Sequence, residues 1–202
     1  MNDNRKVITG ADTRLSYAHV WEPVAINGVG DPKYSVSLII PKTDAKTVAA
    51  IQAAIKAAYD AGADKFKRNG KLIPISALKT PLRDGDTDAT HGGDPNYAGC
   101  WFINTSSKQK PGIVDASVQP ILDQSEVYSG CYARVSVTFY AYNTSGNAGI
   151  AAGLGNIQKI RDGEPLGGHV SAEAEFTPYG GGASAYGSAN PDAAQGADSW
   201  AG

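Results

Sequence analysis

The sequence predicts a mainly β protein: a small barrel of about five strands, one covering α-helix, long loop insertions and a C-terminal tail that does not fold. Three observations carry this. The run from Tyr128 to Asn143 alternates at the period of two that a strand imposes. Cys131, Ala133, Val135, Val137, Phe139 and Ala141 fall on one side, and Tyr132, Arg134, Ser136, Thr138, Tyr140 and Tyr142 on the other. Only one stretch, ending near Ala61, keeps helical spacing between recognisable caps. From about Ser171 glycine, alanine, serine, asparagine and aspartate take over, with too little apolar surface to offset the entropy of ordering.

The first strand is expected over Val7–Trp21, with Leu15, Tyr17, His19 and Trp21 sharing one side and Arg14, Ser16, Ala18 and Val20 the other. The turn signal at Asn27–Pro32 joins it to a second strand, Lys33–Ile40. There Tyr34, Val36, Leu38 and Ile40 point inward, while Lys33, Ser35 and Ser37 point out. Pro41 and Lys42 break that strand, Thr43 or Asp44 caps the helix, and Gly62 stops it. Its alanines let it lie close against a sheet.

Residues 63–99 lose the pattern, apart from a short apolar patch at Ile73–Leu78, but carry Lys65, Lys67, Arg68, Lys71, Lys79 and Arg83. A segment of that length in a compact domain is functional or disordered. Cys100–Thr105 reads as a strand, followed by a basic turn with Lys108 and Lys110, then Ile113–Val118. After the two-faced strand, the longest strand signal in the chain, the sequence turns at Asn143–Asn147 into GIAAGLGNIQKI. This is expected to be a short glycine-rich strand with a loop behind it, its glycines marking a bulge or close backbone packing. The domain division is residues 1–170 and a tail, 171–202.

The chain has 202 residues, 42% of them hydrophobic, enough for a core. No apolar run reaches the ~18 residues of a membrane span, and MNDNRKVITG lacks the apolar stretch of a signal peptide, so the expected compartment is the cytoplasm. Cys100 and Cys131 sit in apolar surroundings without the spacing of a zinc site and are expected as buried thiols. Net charge is only -2, but its distribution is uneven. All 18 lysines and arginines and 16 of the 20 acids precede residue 171, leaving the body at +2 and the tail at -4.

Catalytic motifs fail on inspection. Asp84, Asp86 and Asp88 imitate the start of a calcium loop, but its sixth position is Ala89 and its twelfth Pro95. A metal-dependent nuclease built on these three aspartates is the alternative reading from another class; a structural role for the barrel is a third. His19, His91 and His169 are scattered without a nucleophile motif, and GNAGIAAGLG lacks the Gly-Lys-Ser/Thr ending of a phosphate loop. No cofactor or metal is expected.

What remains is an interleaving of cations with aromatic rings: Arg14 with Tyr17 and Trp21, Lys33 with Tyr34, Trp101 with Lys108 and Lys110, and Arg134 with Tyr132, Tyr140 and Tyr142. Cations that neutralise phosphates beside rings on which any base can stack are what sequence-tolerant single-strand binding requires. Lys79 and Arg83, in the loop before the third strand, join the phosphate contacts. About five strands with one helix and polar-aromatic outer faces is also the pattern of an oligonucleotide-binding (OB) fold.

Several motifs in order, RLSYAHVWEP, PKYSVSLIIPK, LKTPLRDGD, YAGCWFINTSSKQKPGIVD, SEVYSGCYARVSVTFYAYN and GIAAGLGNIQKIRDGEPLGG, resemble a family of tailed-bacteriophage single-stranded-DNA-binding proteins over roughly Val7–Phe176. The resemblance implies an OB fold that coats single-stranded DNA in phage replication or recombination. It further implies a flexible acidic tail that contacts partners such as a polymerase. Asp198 and Trp200 are the tail residues placed for that role; the chain closes on Trp200-Ala201-Gly202, whereas single-strand binders generally close an acidic run on an aromatic.

Overall fold

The computed structural model describes residues 3–25, 30–144 and 147–167. In chain order the strands are β1 (Lys6–Ile8), β2 (Arg14–Val24) and β3 (Lys33–Pro41), followed by the helix α1 (Ala45–Ala61). Then come β4 (Lys67–Arg68), β5 (Lys71–Leu72), β6 (Leu82–Asp84), β7 (Cys100–Ser107) and β8 (Ile113–Val114). Two long strands, β9 (Tyr132–Thr144) and β10 (Asn147–Arg161), complete the set.

Five strands close on themselves in the order β2–β3–β7–β10–β9, with β9 returning to β2 where Arg14 faces Tyr132. Every barrel pairing is antiparallel except β7–β10, which is parallel at Ser106–Gly153. This is the five-stranded barrel of the OB fold. β1 extends it along β9, β8 along β10 and β6 along β7.

The interior is filled by alternate residues of each strand. Leu15, Val36, Leu38, Ile40, Ile103, Val135, Phe139, Ile150 and Ile157 are all buried in one cluster. Burying a side chain of that size stabilises by about 1.5–3 kcal/mol before chain entropy is charged against it. α1 starts at Asp44, whose carboxylate accepts the Thr47 amide at 3.1 Å, and lays Ile51, Ala54, Ile55 and Ala58 against the same cluster. At its end Gly62 sits where a Cβ would lie 2.1 Å from the Ala141 Cβ, so glycine lets the helix meet β9.

Four expectations change. β10, not β9, is the longest strand: 15 residues against 13. Its glycines lower strand propensity, but close neighbours require them. A Cβ on Gly149 would lie 2.5 Å from the Lys79 carbonyl oxygen, and one on Gly155 2.2 Å from the Ser136 Oγ. The register slips between Leu154 and Ile157, the bulge that the glycines marked. Val7–Trp21 is two strands, because Gly10–Thr13 turns the chain, the Thr13 amide donating to the Gly10 carbonyl at 3.3 Å.

Within β2 the register slips again between Ser16 and His19, with Tyr17 at φ 48°, so Leu15 and Val20 are both buried and Tyr17 is thrown outward. Ile113–Val118 pairs for only two residues. The Asp115 carboxylate then accepts the Ser117 and Gln119 amides, both at 2.8 Å, and turns the chain.

Cys131 is buried, Cys100 half-buried, and both are free; burial pushes both thiols up. Among the described residues no helix is long and apolar enough to cross a membrane.

The contact at Gly149 is testable. Gly149→Ala must push the Lys79 carbonyl away and break its bond to the Ile150 amide, now 2.9 Å. We expect a loss of about 1–3 kcal/mol in urea denaturation. A variant as stable as the wild type would show that this packing is not tight.

Candidate nucleic-acid interface

With the interior filled, binding chemistry must sit outside the barrel. The pairing register shows which residues share its outer face. Ser35 pairs with Ser106 and Ser37 with Asn104 across β3 and β7, and Ser106 pairs onward with Gly153 of β10. On β10, Gly153, Ala151 and Gly149 lie beside Thr138, Tyr140 and Tyr142 of β9. Apart from Ser37, Ile39 and Phe102, which are buried, this floor bears nothing larger than asparagine across three strands, so a flat ring or a sugar-phosphate chain can approach the backbone there.

Aromatic side chains border the floor. On the β9 side Tyr140 is 45% exposed, and Tyr142 is half-buried opposite Gly149. On the β2 side Tyr17 is 62% exposed, held at the bulge in a backbone conformation that costs a non-glycine residue about 1–2 kcal/mol. Its ring is the outermost of a ladder, 6.2 Å from His91, which stacks on Tyr97 at 4.0 Å and meets Phe102 edge-on at 5.0 Å. Tyr97 and Phe102 are buried with Ile39 in a second apolar cluster, formed because the loop before β7 folds over the outer faces of β3 and β7. Ser37 keeps the outward register that the strand pattern predicts, yet it is buried.

The predicted cations divide by partner. Arg83 lies over the Phe102 ring at 4.9 Å and pairs with Asp88 at 2.5 Å, while Lys108 pairs with Asp31 at 2.6 Å. The Lys108 ammonium, hydrogen-bonded by that carboxylate, is pushed above the usual lysine range. Lys33 on the outer side of β3, Lys79 beside Gly149, and exposed Arg134 form no ion pair with any described carboxylate; Arg134 reaches only Gln158, at 3.4 Å. Arg14 donates to the Gly130 and Glu164 carbonyls at 3.1 and 2.5 Å.

Three predicted aromatics are differently engaged. Tyr132 lies under the guanidinium of Arg161, 3.4 Å from its ring centre, with Arg14 at 5.8 Å, beside a polar cleft of about 450 Å³ reaching Asp12 and Asp44. Trp21 packs on the core and donates its indole N–H to Val127 at 3.0 Å, with Lys110 at 5.7 Å from its ring. Trp101 shares the inward register of Ile40 and is half-buried under Lys42, 5.2 Å from its ring.

The three aspartates of the nuclease alternative each face a cation of the chain. Lys42 donates to Asp84 at 2.6 Å and to Asp86 at 2.7 Å, and Asp88 holds Arg83. Among the described residues no three His, Cys, Asp or Glu side chains gather as metal ligands.

Comparison with known proteins places this architecture. The sequence profile of the family described as "Enterobacter phage Enc34, ssDNA-binding protein" matches residues 5–185. The chain belongs to this family. A relative, "Putative protein p50" of Acyrthosiphon pisum secondary endosymbiont phage 1, is 33% identical over 171 residues, 82% of this chain and 89% of that protein. The structure of the single-stranded DNA-binding protein of bacteriophage Enc34 in complex with ssDNA aligns at TM-score 0.63 and 25% identity, covering 80% of this chain and 88% of that one. The gp2.5 single-stranded DNA-binding protein of bacteriophage T7 shares the fold at TM-score 0.57 and 18% identity, over 83% and 97%.

Family membership accounts for the motifs that spacing alone left open, but most of the floor was not among the predicted residues. Ser35, Asn104, Ser106 and Gly153 are common strand residues with no motif of their own, and His91 and Tyr97 reach the face only because of the loop. Asp198, Trp200 and the expected tail lie outside the described residues.

The Lys42 bridge makes a pH prediction. The Asp86 carboxyl is held below the usual carboxylate range, first by the Lys42 hydrogen bond and then by the Gly99 amide, and Lys42 is raised by Asp84 and Asp86. A depressed carboxyl stabilises above its unfolded pKa and loses this as pH falls through the folded value; a raised lysine stabilises below its unfolded pKa and loses this as pH rises through its own. Lys42→Met should therefore lower the urea midpoint between about pH 4 and pH 10, and the difference from wild type should shrink below that window. A difference that persists at pH 2 would assign Lys42 a packing role on Trp101.

Proposed function

We propose that this protein is a non-catalytic single-stranded-DNA-binding protein that coats DNA with little regard to sequence during phage replication or recombination, inside the infected bacterial cell. The observation that carries the reading is the floor of serine, asparagine, glycine and alanine on the outer faces of β3, β7 and β10, bordered by exposed Tyr17 and Tyr140. Stacking on tyrosine accepts any base, and a floor without long polar side chains has little with which to read base edges. This outer face is also the one that OB folds use for oligonucleotides. Membership of the Enc34 family, and the Enc34 protein's structure with ssDNA, support the same reading. Lys33, Lys79 and Arg134 are the first phosphate contacts in this proposal. Lys108 joins by exchanging the exposed Asp31 carboxylate for a phosphate, at small cost because exposed ion pairs contribute only about 0–1 kcal/mol. Arg83, by contrast, is held by Asp88, whose side chain is only 9% exposed.

A gel shift on short oligonucleotides, with and without magnesium, tests the reading: a shift without cleavage supports it, magnesium-dependent cleavage supports the nuclease, and neither supports a structural role. Tyr17→Ala and Tyr140→Ala should each weaken binding by about 1–3 kcal/mol per lost stack while the thermal melt stays cooperative. Full affinity in both variants would move the DNA off this face.

A further inference from the structure

One group of cations stands apart from the barrel face. β4 and β5 form a two-stranded ribbon whose turn, Asn69-Gly70, has both residues at positive φ, 51° and 74°, the type I′ geometry that suits an Asn-Gly hairpin. The residues flanking that turn, Arg68 and Lys71, are paired directly across the ribbon, and both are exposed. Like charges in that position repel, and the pairing destabilises the ribbon. The acid nearest in sequence gives no relief, because Asp64 is already held by Lys67 at 2.6 Å. Among the described residues neither Arg68 nor Lys71 has a carboxylate partner.

The ribbon is firmly seated. Phe66, at its foot, is fully buried and stacks on Tyr59 at 5.4 Å; the Tyr59 hydroxyl donates to the Ile73 carbonyl at 2.8 Å. The foot is also tied to β9 on either side of Tyr142. Lys65 Nζ donates to the Ala141 carbonyl, and the Asn143 side-chain amide donates to the Lys65 carbonyl, both at 2.8 Å. Lys79, another unpaired cation, bridges to Gly149 opposite the same tyrosine. The local fold thus sets an unneutralised pair of charges on a hairpin whose foot is anchored beside the tyrosine end of β9.

We propose that the β4–β5 hairpin is a phosphate clamp, in which Arg68 and Lys71 take one or two consecutive phosphates of a single strand as it leaves the tyrosines of β9. A polyphosphate removes the repulsion across the ribbon, and the anchored foot leaves less of the backbone to order than a loop without such contacts would. The clamp extends the proposed DNA path beyond the barrel face and rests on that reading.

The test measures affinity for poly-dT as a function of salt. In wild type a linear fall of log affinity with log salt establishes backbone binding; no binding at all would remove both readings together. Arg68→Ala/Lys71→Ala should flatten the slope by up to about 1.4, close to 0.7 per phosphate, equally for poly-dT and mixed sequence. The fold should be unharmed, with an unchanged or slightly raised thermal midpoint, since a repulsion is removed. Lys46→Ala/Lys56→Ala on the exposed side of α1 removes the same net charge and should leave the slope in place. Wild-type binding with an unchanged slope in the hairpin variant, or equal flattening in both variants, overturns the clamp while leaving the barrel-face reading standing.

Discussion

A barrel of five strands has room inside only for its own side chains, and the rest of this structure follows from that. The core is filled mainly by aliphatic and phenyl groups, with the Cys131 thiol and the Thr105 hydroxyl among them, so any ligand must be met on the outside of the wall. A strand offers its outer residues for this at no cost to the core, because its two sides are independent. The result is a division of labour within single strands. In β9, Val135, Val137 and Phe139 belong to folding, and Arg134, Thr138 and Tyr140 are left for something else.

The same division governs the charges. With almost no net charge to draw on, the protein cannot rely on a global field. Many of its cations are instead tied to neighbouring carboxylates: Lys42, Lys56, Lys67 and Arg83 serve turns, the helix and loops. Among the described residues, the cations without acidic partners include Lys33, Lys79 and Arg134 along the outer faces and Arg68 and Lys71 at the hairpin tip. A weakly charged chain can in this way present a locally basic track.

Much of the barrel was legible in the sequence because period-two alternation and helix caps are local signals, and they put β3, α1, β7 and β9 in place. What was not legible depends on contacts between distant residues. The length of β10 is set by the close approach of Lys79 and Ser136, which turns its glycines from strand breakers into requirements. Tyr17 changes sides because of a bulge that no spacing predicts. His91 and Tyr97 become part of the site through a loop that looked irregular. Asn69-Gly70 is a strong turn signal, but strands two residues long give no period to detect. Tyr132 and Arg134 illustrate a further limit: both were read correctly as outward, yet only Arg134 is open, since Arg161 covers the Tyr132 ring.

The glycines of β10 carry a last consequence. Gly149 and Gly155 are enforced by packing, since a Cβ at either would collide with backbone or with Ser136. Gly153, midway along the floor, would meet nothing closer than 3.4 Å. Folding alone therefore does not require glycine at that position. In a lineage that kept the barrel but abandoned its ligand, the first two glycines would persist under selection for stability and the third would drift. The three positions, a few residues apart on one strand, act as separate clocks for the history of the fold and of its use.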